Sequence, residues 1–151
     1  MELVAPAGPV YQAGTLSANP IGMRAGLATL QKIERVNAYE HLEEKTAYFC
    51  DTINEDLQQR GSQFQMTRAA SIFWLHAKAD RAIRSVEQIP RNHAERFARV
   101  FHEALARGVY LAPSGHEVCF MSLAHSEEIL ARARDAILAA VEKSETYGFA
   151  V

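Results

Sequence analysis

The sequence predicts an α+β fold: a small, mostly antiparallel sheet with helices on one face. Three observations carry this. The strand-like segments are short and cluster in the second part of the chain. Neighbouring strands there are joined by loops too short for the crossover that parallel pairing needs. The helix-like segments are long and amphipathic, giving the order helix, helix, strand, strand, helix, strand, strand, helix. A chain of 151 residues, 48% hydrophobic and 23% charged, is also long enough to bury a core of its own.

Each element has a local cause. Asn19-Pro20 reads as a helix start, because Asn caps well and Pro fits the first turn, where its missing N–H costs nothing. Met23, Leu27, Leu30 and Glu34 follow at helical spacing and predict one buried stripe, and Gly22, Ala25, Gly26 and Ala28 would allow close packing. Asn37 with Glu40 has the spacing of a capping box. Leu42, Thr46, Phe49, Ile53 and Leu57 then mark a helix of roughly six turns, which Gly61 stops. Residues 64–67 and 71–76 are aromatic and β-branched and read as strands. The polar run 78–92, with Pro90 near its end, reads as a surface connection, in part helical. Residues 93–107 form an amphipathic helix carrying Phe97, Phe101, Ala104 and Leu105, ended by Gly108. Strands are expected at 109–112 and 118–124. Ser126 caps the last helix, Glu127 and Glu128 suit its dipole, and Ile129, Ala133, Ile137 and Val141 form its stripe. After Lys143 the periodicity is lost and fraying is expected.

The bulk properties narrow the function classes. A net charge of −2 provides no basic field for nucleic acid or anionic lipid. No apolar run approaches the ~20 residues of a membrane helix. Residues 1–6 lack the basic start of a signal peptide, so a cytoplasmic location is expected. Cys50 and Cys119 match no metal or redox spacing and read as reduced core or near-core thiols. His41, His76, His93, His102, His116 and His125 show no paired ligand spacing, so no metal is expected. His125, just before a helix cap, reads as a hydrogen-bonded structural residue, and Phe73 and Trp74 read as core. No internal repeat is present.

The segment before the first helix is where chemistry could sit. Gly14 lets a backbone approach a ligand, Thr15 and Ser17 offer hydroxyls, and free N–H groups at a helix start suit a phosphate. The plain alternative is a capped loop. YQAGTLSANP, residues 11–20, resembles the G-T-x-x-x-N-P element of class III aminotransferases of the fold-type I pyridoxal-phosphate group. It is most similar to the glutamate-1-semialdehyde aminomutase branch, departing only at Ala18, where Gly is usual. RGVYLAPSGHEVCFMSLAHSEEIL, residues 107–130, resembles the C-terminal block of that branch. The resemblance is weakest over 78–92.

The resemblance implies a C-terminal part only. Residues 1–36 would be the cofactor-loop segment and connecting helix from the large-domain boundary, and 37–151 the small C-terminal α+β domain. It assigns Gly14 and Thr15 to the phosphate of pyridoxal 5′-phosphate in a neighbouring subunit's site, where an N–H and a hydroxyl suit a dianion. Ala18 would be strained if its φ were positive. Glu117 matches a glutamate near the active site, with an electrostatic role; the alternative is an exposed loop carboxylate. The implied partners are the chain's own large domain, a second subunit and an amino-acid substrate. The family's Schiff-base lysine lies upstream of the YQAGT segment, whereas Lys32, Lys45, Lys78 and Lys143 are all downstream of it. The implied activity is conversion of glutamate-1-semialdehyde to 5-aminolevulinate in tetrapyrrole synthesis, with this chain inactive alone. An aminotransferase of other specificity and a non-catalytic dimerisation module are the alternatives.

Overall fold

The computed structural model describes residues 1–146. The chain divides into two compact units, Met1–Asn37 and Ala38–Val151.

The first unit is a loop followed by one helix. Val4 and Val10 form an isolated bridge, with the Ala5 N–H donating to Val10 O at 2.9 Å and the Val10 N–H donating to Leu3 O at 2.9 Å. Helix α1 (Pro20–Arg35) starts as its sequence dictates, with Pro in the first turn and the Asn19 side chain as cap. The expected buried stripe does not form: α1 has no buried residue, and Met23 and Leu30 are 64% and 61% exposed. The physical reason lies within the unit, which offers no second element for the stripe to pack on. At Gly22 and Gly26 an added Cβ would meet nothing within 4 Å. Asn37 takes φ +50, the left-handed region that Asn tolerates, and so departs from the extended backbone of an N-cap.

The second unit holds α2 (Ala38–Gln59), β1 (Phe64–Ala69), β2 (Ile72–Ala77), a 3₁₀ turn (Val86–Gln88), α3 (His93–Ala106), β3 (Cys119–Phe120) and α4 (Glu127–Thr146). The sheet runs β1-β2-β3, all antiparallel, with Phe64 opposite Ala77 and Phe73 opposite Cys119. This is the α+β arrangement the sequence predicts. The helix stops fall where the glycines place them: Gly61 and Gly108 take φ +65 and +83, which a side chain would strain. Phe49, Ile53 and Leu57 of α2 meet Phe64 and Met66 of β1, Phe73 and Leu75 of β2, Phe97 and Val100 of α3, and Ile137 and Val141 of α4 in one apolar cluster. Each such side chain, fully buried, stabilises by roughly 1.5–3 kcal/mol. The strand period of two puts Trp74 and His76 on the face opposite Phe73, Leu75 and Ala77. His76 is nonetheless fully buried, stacked on Trp74 with ring centroids 4.3 Å apart.

Three expectations need correction. Residues 109–112 form no strand. The Val109 N–H is used in closing α3, donating to Ala104 O at 2.9 Å, and β2 already carries β1 on one side and β3 on the other. The strand expected at 118–124 shortens to two residues. The Met121 N–H adds one bond to Ser71 O at 2.8 Å, and then a turn from Ser122 to His125 leads the chain into α4. Finally, α4 runs through Thr146, past the expected fraying point. Ser144 is fully buried, and the Glu145 carboxylate accepts from Gln63 N–H at 2.7 Å and Ser62 Oγ at 3.0 Å, which ties down the last turn. The rest of the tail, 147–151, lies outside the described residues.

Candidate functional site

In the first unit, residues 11–20 are all exposed and make a tight approach to α1. The Ser17 N–H donates to Gly14 O at 3.1 Å and the Asn19 N–H to Leu16 O at 3.2 Å. A Cβ on Gly14 would sit 2.3 Å from Ser17 Oγ, so a larger residue there needs the Ser17 hydroxyl to rotate away. Ala18 has φ +58, so the strain expected of a non-glycine residue at this position is present, at a cost of roughly 1–2 kcal/mol. Asn19 Oδ1 accepts from the Ile21 N–H at 2.9 Å and the Gly22 N–H at 3.4 Å. Two of the amides that a phosphate could have used at the helix start are therefore taken. Gly14, Thr15 and Ser17 are among the exposed residues of this loop.

Glu117 belongs to the second unit and is exposed. It closes a turn: its N–H donates to Ser114 O at 3.1 Å, and the His116 N–H donates to Ser114 Oγ at 3.2 Å. The buried member of the turn is Gly115. Its carbonyl oxygen accepts from Trp74 Nε1 and from His93 Nε2, both at 2.6 Å. A Cβ on Gly115 would lie 2.9 Å from His93 Nε2 and from Phe97 Cβ and Cγ. Gly14 and Thr15 thus share one loop, whereas Glu117 lies in the other unit.

Several other ionisable groups have structural roles. Lys45 donates to His125 O at 2.7 Å and Leu123 O at 3.5 Å, which anchors the chain ahead of α4. His125 Nδ1 accepts from the Ser122 N–H at 3.2 Å, the structural role expected of it. Burial pushes the Cys50 thiol up to about 12, and burial also raises Cys119, so both free thiols are poor nucleophiles. Burial holds His76 and His93 below the ordinary imidazole value. Among the described residues no group of three or more His, Cys, Asp or Glu side chains could hold a metal ion. Sequence reasoning missed the association of Trp74, His93 and Gly115. They lie on three separate segments, and no spacing rule joins them.

No protein-family model matches the chain. It is 49% identical over 142 residues to a glutamate-1-semialdehyde 2,1-aminomutase of Bdellovibrio bacteriovorus, covering 94% of this chain and 33% of that protein. It is 51% identical over 133 residues to the protein of the same name from Leptospira interrogans, covering 87% and 30%. The chain therefore spans about a third of the length of the curated relatives it matches. Among solved structures, the fold is shared with a β-phenylalanine aminotransferase from Variovorax paradoxus (TM-score 0.78, 24% identity, 92% of this chain and 32% of that one). An omega-transaminase from Sphaerobacter thermophilus is similar at TM-score 0.72 and 23% identity, over 91% and 31%. The chain is thus similar, over nearly all of its length, to the C-terminal part of glutamate-1-semialdehyde 2,1-aminomutases, and it has the C-terminal α+β fold of the transaminases.

Proposed function

We propose that this chain supplies the C-terminal part of a pyridoxal-phosphate-dependent aminomutase that converts glutamate-1-semialdehyde to 5-aminolevulinate. The observation that carries the reading is near-50% identity along almost the whole chain to proteins of that name. Pyridoxal phosphate supplies the electron sink for moving an amino group between adjacent carbons. The residues present fit its phosphate end: the exposed Gly14 backbone and Thr15 hydroxyl are donors suited to a dianion. In this reading they serve the site of a second subunit. Residues 1–36 act as the cofactor-loop segment and connecting helix, and 37–151 as the small domain. Glu117, exposed on an anchored turn, carries negative charge to the site and tunes the charge of substrate along the reaction.

The residues present do not fit the amine-bearing end. Of the four lysines, Lys45 is spent on two carbonyl oxygens, and all four lie downstream of the YQAGT segment, whereas the family carries its Schiff-base lysine upstream of it. The chain alone is therefore non-catalytic, and the lysine comes from the remaining two thirds of the enzyme. A cytoplasmic location follows from the biosynthetic role, and no described helix is long and apolar enough to cross a membrane.

A second reading, an aminotransferase of different specificity, draws on the transaminase fold neighbours. The aminomutase reading is preferred because the sequence identity to aminomutases is twice as high. The test is to mix the chain with pyridoxal phosphate, reduce with borohydride and map the product. The proposal expects only scattered, sub-stoichiometric lysine labelling. A stoichiometric adduct at one lysine, with its visible absorbance before reduction, overturns it.

A further inference from the structure

We propose that Trp74 and His93 are positioning residues which clamp the turn of residues 114–117 through the Gly115 carbonyl, and that the clamp holds only while His93 is neutral. Two donors converge on one oxygen, Trp74 Nε1 from β2 and His93 Nε2 from the first residue of α3, each at 2.6 Å. The hydrogen-bond chemistry fixes the tautomer of His93. A carbonyl oxygen only accepts, so Nε2 carries the proton. A backbone N–H only donates, and the Ala77 N–H points at His93 Nδ1 at 3.3 Å, so Nδ1 must keep its lone pair. Protonating Nδ1 sets two N–H groups against each other inside a buried site and strips Ala77 of its acceptor.

The groups around His93 make this cation still less welcome. His76 faces it from β2, and its own Nδ1 is already committed to Ala77 O at 2.9 Å. His116 faces it from the turn with ring centroids 5.4 Å apart, and Arg96 lies one helical turn along α3. All three carry positive charge when protonated. Burial is the largest cause that depresses His93, with His116 and Arg96 adding to it; the bond to Gly115 works the other way. Among the described residues His76 Nε2 is buried with no hydrogen-bond partner, so no acceptor is at hand for a second charge next door. Acid therefore breaks the Ala77–His93 bond that ties the end of β2 to the start of α3, and a charged ring that swings away from the Ala77 N–H takes its Nε2–H off the Gly115 oxygen of the turn. The turn is the segment that carries Glu117, whose N–H bond to Ser114 O depends on its geometry. The consequence for catalysis rests on the reading of Glu117 given above, but the clamp itself does not.

The experiment uses the whole chain. Trp74 is the sole tryptophan, so a ¹H–¹⁵N spectrum contains one indole cross-peak and needs no assignment to read it. At pH 8 the indole N–H is expected to exchange at least about tenfold more slowly than a free indole. The His93 ring nitrogens are expected to report the Nε2–H tautomer. Titrating toward pH 5 should move the indole peak and release the Glu117 amide from protection while the far-UV circular dichroism is unchanged. In His93→Gln, whose amide can still donate to Gly115 O but cannot titrate, the indole peak should stay in place. In His76→Gln the titration should persist. The proposal is overturned by an Nδ1–H tautomer at pH 8, or by an indole peak indifferent to pH. It fails equally if the titration persists in His93→Gln or vanishes in His76→Gln, or if the indole signal and the circular dichroism are lost together. If His93→Gln does not fold, the wild-type chain decides alone: the His93 ring nitrogens and the indole must titrate with one midpoint. A Glu117→Gln chain that leaves all these spectra unchanged while a complete enzyme keeps its activity would defeat the Glu117 reading and leave the clamp standing.

Discussion

Replacing Gly115 with alanine tests the packing of the Glu117 turn most severely. The new Cβ would sit 2.9 Å from three atoms, two of them the Cβ and Cγ of Phe97, which is itself only 3% exposed. These are the root atoms of a buried side chain and cannot swing aside. Relief requires the turn to retreat by about 0.5–1 Å, which overpacking measurements put at roughly 1–3 kcal/mol. The same retreat stretches both 2.6 Å bonds to the Gly115 oxygen beyond good geometry, at roughly 0.5–1.5 kcal/mol each. Allowing for partial compensation, Gly115→Ala should destabilise the second unit by about 2–4 kcal/mol. With a urea slope of roughly 1.5 kcal/mol per molar, the midpoint falls by about 1.3–2.7 M at unchanged slope. Urea titration followed by Trp74 emission measures this directly, since the probe is one of the two donors. A loss under about 0.5 kcal/mol, with Trp74 emission unaltered, would show instead that the turn absorbs the methyl group without strain.

Other predictions follow from single contacts. Asn54 serves the open edge of β1 in place of a strand, donating to Met66 O at 2.9 Å and accepting from the Met66 N–H at 2.8 Å. Asn54→Ala should cost about 1–3 kcal/mol in urea unfolding, whereas Asn54→Asp, which keeps the acceptor, should cost less. His76 and His93 are both depressed by burial, so the unfolded chain binds protons more readily than the folded one. Their contribution to stability is complete above the ordinary imidazole value of about 6.5 and declines as pH falls below it, which urea midpoints at pH 5 to 8 should reveal as a downward step toward acid. With its thiol pushed up to about 12 and fully buried, Cys50 should resist a disulfide-exchange reagent at pH 8 until the chain is unfolded.

The helices and the first hairpin were legible because their signals are local. Asn19-Pro20, Gly61, Gly108 and Ser126 each set a boundary through backbone conformation or a capping bond, and the structure places each as expected. The errors fall where tertiary context decides. Residues 109–112 have strand composition, yet both edges of β2 are already occupied. The apolar stripe of α1 has the right period, but periodicity cannot say what will cover it. The last turn of α4 persists because Glu145 reaches across to Ser62 and Gln63, a contact 82 residues distant in sequence. Of the site, Gly14 and Thr15 stand out from the residues alone as a loop before a helix start, whereas their assignment to a cofactor phosphate, and the choice of Glu117, rest on the two motifs. The sequence could say only that a positive φ at Ala18 would be strained, and the structure supplies the φ of +58. The Trp74–His93–Gly115 association left no trace in spacing.

The central claim is that this chain does the work of the C-terminal third of an aminomutase and meets the cofactor phosphate through Thr15. The direct measurement exchanges this chain for the matching 142-residue segment of the Bdellovibrio relative and follows both 5-aminolevulinate formation and pyridoxal phosphate affinity, with and without Thr15→Val. The hybrid is expected to be active, and Thr15→Val to weaken cofactor binding by about tenfold or more, the worth of one hydrogen bond to a charged phosphate. A folded hybrid without activity, or one in which Thr15→Val binds the cofactor as tightly as before, would contradict it.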